Sequence, residues 1–183
     1  MANGGKGLAA FALIFAILGA GAGGYLMYKE LFVTEEVGEH MHDIALPKAR
    51  AYCGSGFVLE SGIHTLVDLS QISYDTHDAF NVTDNTYIVP ESGFYSVFAQ
   101  LSVFCLDGDF FRMHIYQNGT QVAVQSYFAA GSTNTFTVAG EDILNATAGE
   151  TIFFRVFMVN SGGTIRGIFV GSAYSFCTIE KLM

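Results

Sequence analysis

Two kinds of hydrophobic pattern divide the chain. From Leu8 to Tyr28 the run carries no charged side chain. A helix of that length, rising about 1.5 Å per residue, spans the roughly 30 Å hydrocarbon core of a bilayer. From Arg50 onward no segment holds the helical period. Short β-rich runs recur instead, separated by turn residues, which is the pattern of an all-β sandwich or barrel. The predicted strands begin with Ala51–Cys53, Phe57–Leu59, His64–Leu66, Ile72–Tyr74 and Tyr87–Val89. Longer ones follow at Gly93–Phe104, Phe110–Gln117, Thr120–Phe128, Asn134–Leu144, Thr151–Asn160 and Ala173–Leu182. Asn118-Gly119 is the strongest turn signal, because both residues tolerate positive φ; it predicts a tight hairpin.

Alternation assigns faces to these strands. In Gly93–Phe104, Tyr95, Val97, Ala99, Leu101 and Val103 share one side, and Phe94, Phe98 and Phe104 share the other with Ser96, Gln100 and Ser102. In Thr151–Asn160, Ile152, Phe154, Val156 and Met158 oppose Phe153, Arg155, Phe157 and Val159. A sheet solvated on one side shows a polar face there. Neither strand does, so the pattern predicts a cover for the second face, and a partner subunit is the natural one.

The chain therefore divides into an anchor at residues 1–29, a short acidic stalk at residues 30–48 and a β head at residues 49–183. In the stalk, Leu31, Val37, His40, Ile44 and Ala45 sustain no heptads, so no long coiled coil is expected. Lys6 precedes the apolar span, and Lys29 with Glu30, Glu35, Glu36 and Glu39 follow it. The positive-inside rule then favours a single-pass protein with a cytoplasmic N-terminus and an external head. Three glycosylation acceptor patterns, at Asn81, Asn118 and Asn145, agree with an external head, although each pattern also arises by chance. Gly19 and Gly23, like Ala16, Ala20 and Gly24, have the small-residue spacing that lets helices approach closely in lipid. Two other readings of this end remain. The small residues at Gly19 to Gly24 imitate a signal-peptide cleavage site, and Lys6-Gly7 resembles the processing site of archaeal type IV pilin precursors.

Composition narrows the function. Half the chain is apolar, 14% is charged, and Phe plus Tyr outnumber Lys plus Arg, so disorder is excluded. The formal charge is −9, and residues 30–183 set six basic residues against 17 acids, a net of −11. Such a head repels phosphate backbones, which argues against nucleic-acid binding.

No enzymatic motif is present: there is no G-x-S-x-G, P-loop, H-E-x-x-H or C-x-x-C. No cysteine or serine stands in a recognisable nucleophile setting, and the chain is read as a non-enzyme without a cofactor. The ligand-like groups are Asp75, His77 and Asp78, and the acidic turn Asp107-Gly108-Asp109, of the sort that can hold calcium. Neither is a complete metal loop, and each also reads as a polar turn. His40 and His42 in the stalk converge only if that segment is extended. Arg112 and Arg155, each inside an apolar strand, are expected to pair with acids. The three cysteines, Cys53, Cys105 and Cys177, leave an odd number for pairing.

The stretch Thr86 to Val103, TYIVPESGFYSVFAQLSV, resembles the signature of the complement C1q globular head, within the tumour necrosis factor-like jelly-roll superfamily. Pro90, Gly93, Phe94 and Tyr95 stand at the expected places. Tyr74-Asp75 through Ala79-Phe80, Ile115 to Gln121, Leu144 to Glu150, and Gly167 with Ser175 to Leu182 resemble further family segments in the family's order. Ile168-Phe169 departs from the usual ending, and no collagen repeat precedes the head, so a complement role is not implied.

The resemblance implies an all-β jelly-roll sandwich of about ten strands, here preceded by one transmembrane α-helix. It implies a homotrimer assembled through the inner sheet, with Phe94, Phe98, Tyr174 and Phe176 as candidate contacts; ordinary core packing is the other reading of those four. In the family's strand order Cys177 would neighbour Cys53 and Cys105, allowing a disulfide with either, and buried thiols are the alternative. Some members bind calcium. The expected function is a membrane-anchored, externally displayed binding or adhesion head for an external protein or glycan. The alternative is a structural protein of a virion or surface filament.

Overall fold

The computed structural model describes residues 46–129 and 134–182. The described residues all fall within one compact unit, Ala45–Met183. The anchor through residues 8–28 and nearly all of the acidic stalk lie outside the described residues. Lys48, expected at the end of the stalk, is already the first residue of a strand. Among the described residues there is no helix, hence none long and apolar enough to cross a membrane.

Thirteen strands are described: β1 Lys48–Tyr52, β2 Val58–Leu59, β3 His64–Leu66, β4 Gln71–Asp75, β5 Phe80–Asn81, β6 Thr86–Ile88, β7 Gly93–Cys105, β8 Phe110–Gln117, β9 Thr120–Phe128, β10 Asn134–Ala146, β11 Thr151–Val159, β12 Arg166–Gly167 and β13 Phe176–Lys181. They form an antiparallel five-stranded sheet in the order β10-β7-β13-β1-β4, and a six-stranded one combining β5-β6-β11-β8-β9 with β3 paired to β11. A small β12-β2 ribbon completes the set. The first and last strands are neighbours inside one sheet, with Ala51 opposite Cys177. This strand order is consistent with the jelly-roll sandwich that the resemblance implies, with thirteen described strands where about ten were expected.

The core lies where alternating faces meet. Tyr95, Val97, Ala99, Leu101 and Val103 of β7 are at most 1% exposed. They face the layer of Phe111, Met113 and Ile115 from β8 and Ile152, Phe154, Val156 and Met158 from β11, all equally buried. Each large side chain so removed from water contributes about 1.5–3 kcal/mol. Packing is tight enough to dictate a glycine: a Cβ at Gly140 on β10 would stand 2.7 Å from Met113 Cγ. The predicted hairpin between β8 and β9 forms as the sequence requires, with Asn118 at φ 50° and Gly119 at φ 79°.

Candidate functional site

Each sheet has an outward face, and the two differ in chemistry. On the five-stranded sheet, the residues of β7 between the core positions point outward. Phe94 is 55% exposed there and Phe104 52% exposed. Phe98 lies 5.8 Å from Phe176 of β13, and the Arg50 guanidinium stands over Phe176 at 3.9 Å. Tyr174 lies in the turn before β13, not within a strand as expected, and is 53% exposed. Its carbonyl accepts hydrogen bonds from the Gln100 amide (3.3 Å) and the Ser102 hydroxyl (3.1 Å), which fix the turn against β7. Phe104 packs on Phe169 at 4.0 Å between ring centres. The four candidate contact residues are thus brought to one side of the head, and none of them is among the buried core.

The six-stranded sheet presents cations and rings. β3, β8, β9 and β11 contain no Asp or Glu at all. His64, Arg112, His114, Tyr116, Phe153, Arg155 and Phe157 occupy outward positions there, opposite the buried set. Tyr116 and Phe153 stack nearly parallel, 4.9 Å apart and inclined by 7°. His64 contacts the rings of His114 and Phe157, each at 4.7 Å. The second face of β11, for which a partner subunit was the expected cover, carries the half-buried Phe153, Arg155 and Phe157. Arg112 and Arg155 form no ion pair among the described residues, contrary to expectation. They stand over aromatic faces instead, Arg112 over Phe110 at 4.8 Å and Arg155 over Tyr116 at 5.5 Å.

His114 is the unexpected member of this face. It is 3% exposed, although its neighbours Met113 and Ile115 point the other way into the core. Its Nδ1 bonds Gln121 Oε1 at 2.7 Å, while its Nε2 is buried with no partner. Arg155, directly opposite in the register, likewise has its Nε buried and unpartnered. Burial lowers the His114 pKa, the Gln121 bond opposes this, and His64 and Arg112 add to the lowering. Periodicity alone assigns a strand histidine to solvent; the useful signal is Gln121, which the Asn118-Gly119 turn folds back beside it.

The acidic candidates serve as structural braces. Asp75 accepts the backbone N–H groups of Phe80 (2.7 Å) and His77 (3.2 Å). Asp109 is buried and held by Arg166 through Nε (2.5 Å) and Nη2 (2.9 Å), and it also accepts the Leu106 N–H at 2.8 Å. The ion-pair role expected of Arg112 and Arg155 falls to Arg166. Among the described residues no three His, Cys, Asp or Glu side chains, Asp75, His77, Asp78 and Asp107 included, converge on a point that could hold a metal ion.

The Asn81 side chain is occupied within its own turn: its amide donates to Asp84 at 2.8 Å, and its carbonyl accepts the Thr83 N–H at 2.9 Å. Asn118 and Asn145 are exposed. Cys53, just past the end of β1, and Cys177 on β13 are buried thiols whose pKa values are both pushed up to about 12, chiefly by burial. The register sets Cys177 opposite Ala99, six positions from Cys105 on β7. At about 3.3 Å per residue that is roughly 20 Å, so Cys105 is out of bonding range and only Cys53 remains a neighbour of Cys177.

No protein-family model matches the chain, and no curated protein matches it. Among solved structures, it is similar to the Eiger TNF of S. frugiperda, at 13% identity over 75% of this chain and 93% of that one, with a TM-score of 0.56. It is also similar to the globular domain of zebrafish complement 1qA, at 15% identity over 72% and 94%, with a TM-score of 0.48. The likeness to the TNF structure is one of fold, and the head has a TNF-like jelly-roll fold.

Proposed function

We propose that the chain is a non-catalytic binding head, displayed outside a cell or particle as a homotrimer and anchored through residues 8–28. The observation that carries the assembly is the outward aromatic face of the five-stranded sheet. Phe94, Phe98, Phe104, Tyr174 and Phe176 expose rings along one side of a single domain. Aromatic side chains clustered on an exposed surface favour a protein interface, because burying them releases about 25 cal/mol per Å². A second and third copy of the same chain supply that cover without any other partner. The non-catalytic reading is supported by the braced acids and by the buried cysteines, whose raised pKa values keep them protonated and poorly nucleophilic. External display rests on the apolar span and the charge order around it.

The test is the mass of the full-length chain in mild detergent, measured by light scattering or native mass spectrometry. A trimer supports the reading. A monomer at micromolar concentration overturns it, because the exposed rings would then have no partner.

A further inference from the structure

The outward face of the six-stranded sheet is unlike the rest of this acidic molecule. Four strands without one acidic residue carry Arg112, Arg155, His64 and His114, flanked by ring pairs at both ends. One pair is Tyr116 with Phe153; the other is Phe110 with Phe128, 4.6 Å apart, where Phe128 is 72% exposed. Within it are two buried nitrogens without partners, His114 Nε2 and Arg155 Nε, on directly opposed residues. Buried polar groups are almost always satisfied, so two orphans side by side call for an explanation. From this geometry we infer that the face binds an acidic oligosaccharide, its carboxylates taken by Arg155 and Arg112 above the buried His114 ring and its sugar rings laid along the flanking aromatic planes.

Several features select that ligand. Both guanidiniums are pre-positioned over aromatic rings rather than spent on carboxylates, which lowers the ordering cost of gripping an anion. The middle of a sheet offers no free backbone groups, since those of β8 and β11 are used in their ladders. An extended peptide, which gains affinity from main-chain pairing at a sheet edge, finds nothing to pair with here. The ring pairs stand about 20 Å apart along β8, from Phe110 to Tyr116, a length that suits several sugar units rather than one. With Nδ1 donating to Gln121, the neutral His114 ring leaves Nε2 a bare acceptor. Uptake of one proton places a positive charge beneath a bound carboxylate. The other charged or titratable groups facing it are His64 from β3, Arg155 from β11 and Arg112 from β8; Gln121 from β9 is neutral. His64, Arg155 and Arg112 oppose that proton, whereas the Gln121 bond and a bound anion favour it, so binding and protonation favour each other.

The site lies within one protomer and does not depend on the trimer. The experiment titrates the full-length chain with tetraglucuronate by calorimetry at pH 7.5 and 5.5, in parallel with uncharged cellotetraose and with tetraglutamate. The expected result is saturable binding of tetraglucuronate that tightens at the lower pH, with at least tenfold weaker binding of the other two. Arg155→Gln and the exposed Arg112→Gln should each weaken binding about tenfold, the loss of one charge-assisted hydrogen bond. Arg112→Gln leaves the core untouched, so its effect is readable even if Arg155→Gln folds poorly. Nitrogen NMR of His114 should show Nε2 gaining a proton on binding. Cellotetraose or tetraglutamate binding as tightly as tetraglucuronate overturns the proposal, as does unchanged affinity in both arginine variants. Repeating the titration on Phe98→Glu keeps this outcome separate from that of the assembly.

Discussion

Asp109 and Arg166 meet as a buried, two-pronged ion pair between residues 57 positions apart, tying the turn before β8 to β12. Both side chains are under 10% exposed. Removing one partner strands the other charge in the interior, which costs about 3–5 kcal/mol. Arg166→Leu should therefore lower the urea midpoint steeply. The double change Asp109→Asn with Arg166→Leu should cost less than Arg166→Leu alone. If the double variant loses more than the single one, the pair is not the source of the loss.

Phe98 is the natural place to test the assembly. Its side chain is outward, between the core residues Val97 and Ala99. Phe98→Glu would place three like charges near the proposed threefold contact without touching the sandwich interior. Light scattering should read a monomer while circular dichroism and thermal unfolding stay within the range of a surface change, about 0.5 kcal/mol.

Gly140 tests how closely the sheets approach. A valine there would drive its Cβ toward Met113 Cγ, at 2.7 Å in the present backbone. Gly140→Val should destabilise by about 1–3 kcal/mol, the usual cost of overpacking. Adding Met113→Ala should recover part of that loss, an interaction that a double-mutant cycle measures directly.

The head should lose stability in acid through two surface carboxylates. The hydrogen bond and charge of Lys181 hold the Glu91 pKa below its ordinary 4.5. The Thr147 N–H and then the Gln117 amide do the same for Glu150. A group whose pKa is lowered on folding stabilises the fold above its unfolded value, and that contribution disappears as pH falls through the folded one. Thermal midpoints should therefore decline from about pH 5 downward, and Glu91→Gln with Glu150→Gln should flatten that limb. An unchanged slope in the double variant would remove both residues from the account.

Cys53 and Cys177 should resist alkylation in the native head. Both thiols are buried and pushed up to about 12, so at pH 8 almost no thiolate exists to react. Mass spectrometry after iodoacetamide should find both unmodified until denaturant is added. Rapid native labelling of either would contradict their placement.

Much of the fold is legible because one rule, alternation, governs the long strands. It places Tyr95 to Val103 in the core and Phe94 and Phe98 outside, and the turn residues delimit β8 and β9. It fails where tertiary pairing alone creates a strand. β5 and β12 are two residues each and have no period to read. The start of β13 slips by three residues because Gly171 accepts the N–H groups of Tyr174 and Ser175 in a turn whose letters still look like a strand. The cationic face is hidden for a different reason: its basic residues come from three strands, and no single strand shows more than two of them among its rings. Which acids an arginine meets is a matter of sheet order, as Arg166 and Arg155 demonstrate from opposite sides.

The seating of β13 between β7 and β1 imposes an order in time. Its residues complete the sheet by touching strands made far earlier, Ala51 on one side and Ala99 on the other. Until β13 is made, the facing edges of β1 and β7 have no strand between them and are open to pairing with other chains. The head therefore cannot close progressively during synthesis. Its closure waits on a long-range pairing, and a chain that stops before Phe176 leaves the five-stranded sheet split between β7 and β1.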